Sequence, residues 1–123
     1  MTDGLTPNVV FEGDSRSVIK SFPADVRQNL GGDLQRVQDG ERPLDFGSLT
    51  NVLPKVFELR DHDEDSWYRV LYIKLDGVVY VLHCFKKKTN ETPQKEIDTA
   101  RMRLVALKKR LEEQEKKAKR GSK

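Results

Sequence analysis

Hydrophobic positions along the chain keep two rhythms, a helical one towards each end and an alternating one in the middle. Val9, Val10 and Phe11 form a short apolar run that predicts a strand within Asn8 to Glu12. Asp14 and Ser15 then offer N-caps to a short helix carrying Val18, Ile19 and Phe22. After Pro23, which a first helical turn tolerates, Val26, Leu30, Leu34 and Val37 recur at three- and four-residue spacings. A second amphipathic helix is therefore expected, ending near Asp39 and Gly40. Gly31 and Gly32 interrupt it, either as a locally weak stretch or as a point of close packing on the sheet, and packing is the favoured reading.

Residues 41–54, with Pro43, Gly47 and Pro54 among polar neighbours, read as an irregular connecting loop. Val56 to Arg60, Trp67 to Leu75 and Val78 to Phe85 are rich in β-branched and aromatic residues and predict three antiparallel strands. Asp76-Gly77 marks a tight hairpin between the last two, and the acidic run Asp61 to Asp65 a looser turn between the first two. From Thr92 or Pro93 a helix begins, with Ile97, Ala100, Leu104, Leu107 and Leu111 along one side. Such a seam usually packs on its own sheet, with a partner-binding face as the alternative. Beyond it, Glu112 to Lys123 offer Ala118 alone as an apolar residue, so a frayed or disordered basic tail is expected. The fold class predicted is α+β. It has about four mainly antiparallel strands, two N-terminal helices and a long C-terminal helix over residues 1–111, followed by the tail 112–123.

A chain of 123 residues fits one domain. Its net charge of +3 hides an asymmetry: residues 1–65 carry 7 Lys and Arg against 13 Asp and Glu, residues 66–123 carry 16 against 7, and the halves are −6 and +9. A basic half suits a polyphosphate partner, although a solvated lysine-rich helix gives the same count. Cys84, the only cysteine, excludes an internal disulfide, reads as a buried thiol and fits a reducing cytoplasm. Met1 to Val10 lack the pattern of a secretory leader, and no stretch approaches the roughly eighteen apolar residues of a membrane span.

No Gly-rich phosphate loop, metal-spaced Cys/His pair or nucleophile elbow is present, which disfavours cofactor, metal and serine or cysteine nucleophile chemistry. Basic residues at strand ends remain. Arg60 closes one predicted strand, Arg69 opens the next, and Lys86, Lys87 and Lys88 end the third. An antiparallel meander brings those ends to one edge, where the five cations can converge. Such a cluster can stabilise the charge that builds on a phosphate when a ribose 2′-hydroxyl attacks it, and arginine's planar fork suits this best. The same cations can equally be solvated or paired with the nearby carboxylates. His83 alternates with Phe85 and Lys87 and shares their face; it is a possible general acid or base, or a satisfied histidine at the core margin. Phe85, Trp67, Tyr68 and Tyr72 could stack on bases, although aromatic residues in strands are normally core or cross-strand packing. Parity puts Tyr68 and Tyr72 together on one face and Trp67 with Arg69 on the other, which makes Trp67 the better candidate for an exposed stacker.

Leu30-Gly31-Gly32-Asp33-Leu34, Val37-Gln38-Asp39-Gly40, Phe57-Glu58-Leu59-Arg60, Tyr68-Arg69-Val70-Leu71-Tyr72 and Leu82-His83-Cys84-Phe85-Lys86-Lys87-Lys88-Thr89 leading into Thr92-Pro93 occur in this order. Together, over roughly residues 8 to 107, they resemble the phage-derived Gp49-like branch of the RelE/ParE toxin superfamily, to which HigB-type toxins belong. The resemblance implies a compact RelE-like fold and a metal-independent, cofactor-free endoribonuclease of a type II toxin–antitoxin system. Such an enzyme cuts mRNA in the ribosomal A site, as a monomer or held in a hetero-oligomer by a helix-turn-helix antitoxin. By motif, Arg60, Arg69 and Lys87 match the basic residues that contact the scissile region, with Lys86 and Lys88 beside them. Relatives that place a tyrosine after the last strand find no counterpart in Asn90-Glu91-Thr92-Pro93, so the base is left between His83 and the lysine triplet. Two alternatives remain: a ParE-like inhibitor of DNA gyrase, and a non-catalytic phage-related regulator that binds nucleic acid.

Overall fold

The structure, a computed structural model, describes residues 8–121. The first seven residues of the expected domain and the last two of the tail lie outside the described residues. In chain order the elements are β1 (Val9–Phe11), α1 (Ser15–Lys20), α2 (Ala24–Gln38), β2 (Phe46–Ser48), β3 (Val56–His62), β4 (Trp67–Leu75), β5 (Val78–Lys87) and α3 (Gln94–Gly121). They form an α+β unit around one five-stranded mixed sheet of order β1-β5-β4-β3-β2. β2 to β5 are an antiparallel meander, and β1 joins parallel to β5 with Val9 opposite Val79. No helix among the described residues is long and apolar enough to cross a membrane.

Both faces of the sheet are covered. On one, Ile19 of α1, Phe22 of the link after it and Val26, Leu30, Leu34 and Val37 of α2 meet Leu59, Tyr68, Val70, Tyr72, Val81 and Cys84. On the other, Ile97, Ala100, Leu104 and Leu107 of α3 meet Val56, Leu71, Ile73, Tyr80, Leu82 and Phe85. The α3 seam is thus core, as its spacing implies, and is not a free partner face. Strand parity holds along β4. In β5 a shift in register between Leu71 and Tyr72, which pair with His83 and Val81, leaves Leu82 without a partner. This irregularity puts Leu82 and Phe85, three residues apart, on the same side of the sheet.

Two expectations change. The sheet has five strands instead of about four, because Phe46–Ser48 inside the expected loop pairs with Leu59 to Phe57. Three residues with a glycine at their centre are too short to show an alternation. The last helix does not end at Leu111 but runs to Gly121, with residues 112–120 all exposed. Ion pairs Lys116–Glu112 and Lys119–Glu115, four residues apart, support a stretch that apolar periodicity does not mark. At the hairpin Asp76 and Gly77 both have positive φ, 49° and 79°, as its turn type demands.

Leu107→Ala, which empties a fully buried site beneath the sheet, should lower unfolding free energy by about 2–5 kcal/mol, against within about 0.5 for exposed Val105→Ala. Denaturant unfolding of both variants measures this, and equal losses would contradict the placement of α3. Burial, with the Asp33 carboxylate nearby, pushes the Tyr72 phenol up to about 12. The folded chain therefore holds this proton more tightly than the unfolded one, whose tyrosines titrate near about 10. Its contribution is complete below about pH 10 and is lost as pH rises towards 12. Tyr72→Phe should flatten that part of the alkaline stability profile; an unchanged slope would count against it.

Candidate functional site

Strand register places the predicted cations. In the row nearest the turn-bearing edge, His62, Trp67 and Lys87 stand side by side on β3, β4 and β5. The next row is Arg60, Arg69 and Phe85, and the third is Glu58, Leu71 and His83. These side chains share the α3 face, but α3 begins only at Gln94 and leaves the first row open. Alternation splits the lysine triplet: Lys86, opposite Tyr68, stands on the α1/α2 face, whereas Lys87 joins Arg60 and Arg69 and Lys88 is exposed beyond the strand. The crowded lysine cluster expected as a base is therefore not formed.

Arg69 is the main correction. It is no surface cation: the residue is 2% exposed, and its Nη1 donates to Glu58 Oε1 at 2.6 Å. Its Nη2 donates to Asn90 Oδ1, and Thr92 Oγ1 donates to the two Glu58 oxygens at 3.1 and 3.2 Å. Residues 88–93 are thereby strapped over the pair. Arg69 Nε is buried with no hydrogen-bond partner, while the guanidinium carbon lies 5.6 Å from the Trp67 ring centre.

The other cations also have carboxylates of their own. Arg60 Nε donates to Asp45 Oδ1 at 3.2 Å and Nη2 to the Phe46 carbonyl, with the guanidinium laid across Gly47. Lys87 Nζ is 3.9 Å from Glu96 Oε2. Arg60, Arg69 and Lys87 do meet at one edge, but as three ion pairs and not as an open cationic cluster.

His83 is engaged at both ring nitrogens. Arg103 Nη1 lies 3.2 Å from Nδ1, and because a guanidinium only donates, Nδ1 accepts and the proton belongs on Nε2, which donates to Glu96 Oε1 at 2.7 Å. Arg103 also donates to the Leu82 carbonyl at 3.0 Å and to Asp14 Oδ1 at 2.9 Å. Asp14 thus sits at the N-cap of α1 without capping it. The Arg103 guanidinium passes Gly13 so closely that a Cβ there would lie 2.5 Å from it, and Gly13 also has φ of 56°. His83 is consequently a spacer between Arg103 and Glu96, and no lone pair is left for a substrate proton.

Of the candidate stackers, Tyr68 and Tyr72 are buried in the core under α1 and α2, and Phe85 is buried below α3 with its ring 5.5 Å from that of His83, so no base can reach them. Trp67 is half-buried and lies 4.6 Å from the His62 ring. The turn that carries this row is held by Asp63, whose Oδ1 accepts from the Asp65 and Ser66 amides at 2.9 Å each. Those amide bonds hold its carboxyl below the usual carboxylate range. Burial pushes the Cys84 thiol up, away from thiolate chemistry. Among the described residues no three His, Cys, Asp or Glu side chains come together as a metal site would need.

Sequence reasoning missed Glu58, Asn90, Thr92, Glu96 and Arg103. Glu58 alone carried a signal, a carboxylate two residues from Val56 on the same face of an apolar strand, where burial demands a partner.

This edge belongs to an α+β protein with three paired cations on one sheet face. The model of the phage-derived Gp49-like protein family (DUF891) matches residues 17–105, and the chain belongs to that family. No curated protein matches the sequence significantly.

Arg69→Met should lower unfolding free energy by about 3–5 kcal/mol, because Glu58 would be left buried without its counter-charge. Arg69→Met with Glu58→Leu should recover most of that loss. A double-mutant cycle by denaturant unfolding measures the coupling, and additive losses would contradict the lock.

Proposed function

We propose that this Gp49-like chain is the toxin of a type II toxin–antitoxin pair, HigB-like in kind and RelE-like in fold. It would act in the cytoplasm as a metal-independent endoribonuclease that cuts mRNA on the ribosome until a helix-turn-helix antitoxin binds it. One observation carries the reading: Arg60, Arg69 and Lys87, from three successive strands, occupy adjoining rows at one edge of one face. RNA phosphate competes there with Asp45 for Arg60 and with Glu96 for Lys87, both of which keep 30% of their side-chain surface in solvent. Arg69, fixed under Trp67, supports this edge from below and does not meet RNA directly while residues 88–93 are strapped down.

The pairing of all three cations favours a second reading, a protein that inhibits a DNA topoisomerase by docking and needs no open cationic site. Expression in cells with mapping of RNA ends separates the two. Ribosome-dependent cuts are expected. DNA damage with intact mRNA would support the inhibitor, and unimpaired growth would leave a non-toxic regulator. Lys87→Ala should keep the fold and lose about 3 kcal/mol of transition-state stabilisation in RNA cleavage; cleavage at the wild-type rate would remove Lys87 from the site.

A further inference from the structure

Cleavage of RNA without a metal begins with removal of the 2′-hydroxyl proton, and the groups that first suggest themselves are occupied. His83 uses both ring nitrogens inside the fold. Lys87 leans on Glu96, and Glu58 is closed under Thr92. The chain has two histidines, and the other is His62.

His62 is the last residue of β3, is exposed, and lies in the open row directly across from Trp67. The two rings are 4.6 Å apart and tilted by 40°, so the indole holds the imidazole by its face and edge. Among the described residues its ring nitrogens make no hydrogen bond, in contrast to those of His83. Lys87 flanks Trp67 on the far side, two strand spacings or about 10 Å from His62 along the row. Charged groups around the ring are Arg60 on its own strand, Arg69 and Lys87 from β4 and β5, Glu96 of α3 behind Lys87, and Asp63, Glu64 and Asp65 of the turn. Asp61 faces away and accepts from Asn29 at 3.1 Å, while Asp63 is turned towards Tyr68 at 2.9 Å.

We infer that His62 is the general base of RNA cleavage, with the nucleotide laid over Trp67 between His62 and Lys87. This rests on the nuclease reading above. Neutral imidazole takes the 2′-hydroxyl proton as the 2′-oxygen bonds to phosphorus. The bond from phosphorus to the 5′-oxygen breaks with its electron pair, and the leaving oxygen takes a proton from water. The products are a 2′,3′-cyclic phosphate and a 5′-hydroxyl, and His62 returns its proton to solvent. Lys87 sits where it can neutralise the non-bridging oxygens.

The test measures cleavage of a defined mRNA, with and without ribosomes, from pH 5 to 9 for the wild type, His62→Gln and His62→Ala. A positioned base contributes about 100- to 10,000-fold. His62→Gln should therefore lose at least about 100-fold in kcat with KM little changed, and should lose the limb that an imidazole gives between about pH 5 and 8. Added imidazole should restore part of the rate to His62→Ala. Wild-type rates and an unchanged pH profile in His62→Gln would overturn the assignment. So would a slower enzyme that keeps the limb and ignores imidazole, which would make the ring a stacking surface only. A wild-type protein that stops growth yet cuts no RNA in either format would instead overturn the nuclease reading, and the inference with it. Thermal melting of the variants checks that this exposed position leaves the fold intact.

Discussion

The ion pair between Glu58 and Arg69 fixes how the working edge of the sheet is arranged. Taking two charges out of water is unfavourable by several kcal/mol for each, so the pair is tolerated only with close geometry and further hydrogen bonds. Both conditions are met: the contact is 2.6 Å, and Thr92 and Asn90 supply the remaining partners. Those partners come from the segment that follows β5, and α3 starts directly after it at Gln94. The pair thereby sets where α3 begins, and with it the landing of Ile97 and Ala100 on the sheet and of Glu96 on His83. An apolar pair would join β3 to β4 as well but would leave residues 88–93 untied.

Three of the five cations that the sequence brings to this edge, Arg60, Arg69 and Lys87, have a carboxylate, Asp45, Glu58 or Glu96. The edge is therefore far less positive than a count of its lysines and arginines implies. Positive charge is carried instead by exposed Lys86 and Lys88 at the strand end and by exposed Lys117 and Arg120 in the far turns of α3. Exposed charge and paired charge thus lie in different parts of the molecule, and salt screens the first more than the second.

Much of the fold was legible because it follows from period. The helix at Val26 to Val37, the Asp76-Gly77 hairpin, the strand from Trp67 to Leu75 and the α3 seam all stand where spacing and turn chemistry put them. What escaped had no period to read: β2 is three residues long, and the end of α3 rests on charge pairs. In the candidate site, register was legible and partnership was not. Arg69 meets Asn90 across 21 positions, Glu58 meets Thr92 across 34, and Arg103 meets Asp14 across 89. Pairs that far apart leave no local trace, so a buried arginine and an exposed one look alike in sequence.

The parallel pairing of β1 with β5 has a consequence for how the protein comes into being. Val9 finds its partner 70 positions later at Val79, and Glu12 is gripped by Arg110 at 3.0 and 2.9 Å, farther on still. Closing such long loops before any contact offsets the lost chain entropy makes folding slow. On a ribosome the sheet edge with Arg60, Trp67 and Lys87 cannot be completed until β5 has emerged, nor its support from α3 until the final helix has followed. This edge therefore stays unassembled in a nascent chain until α3 has emerged.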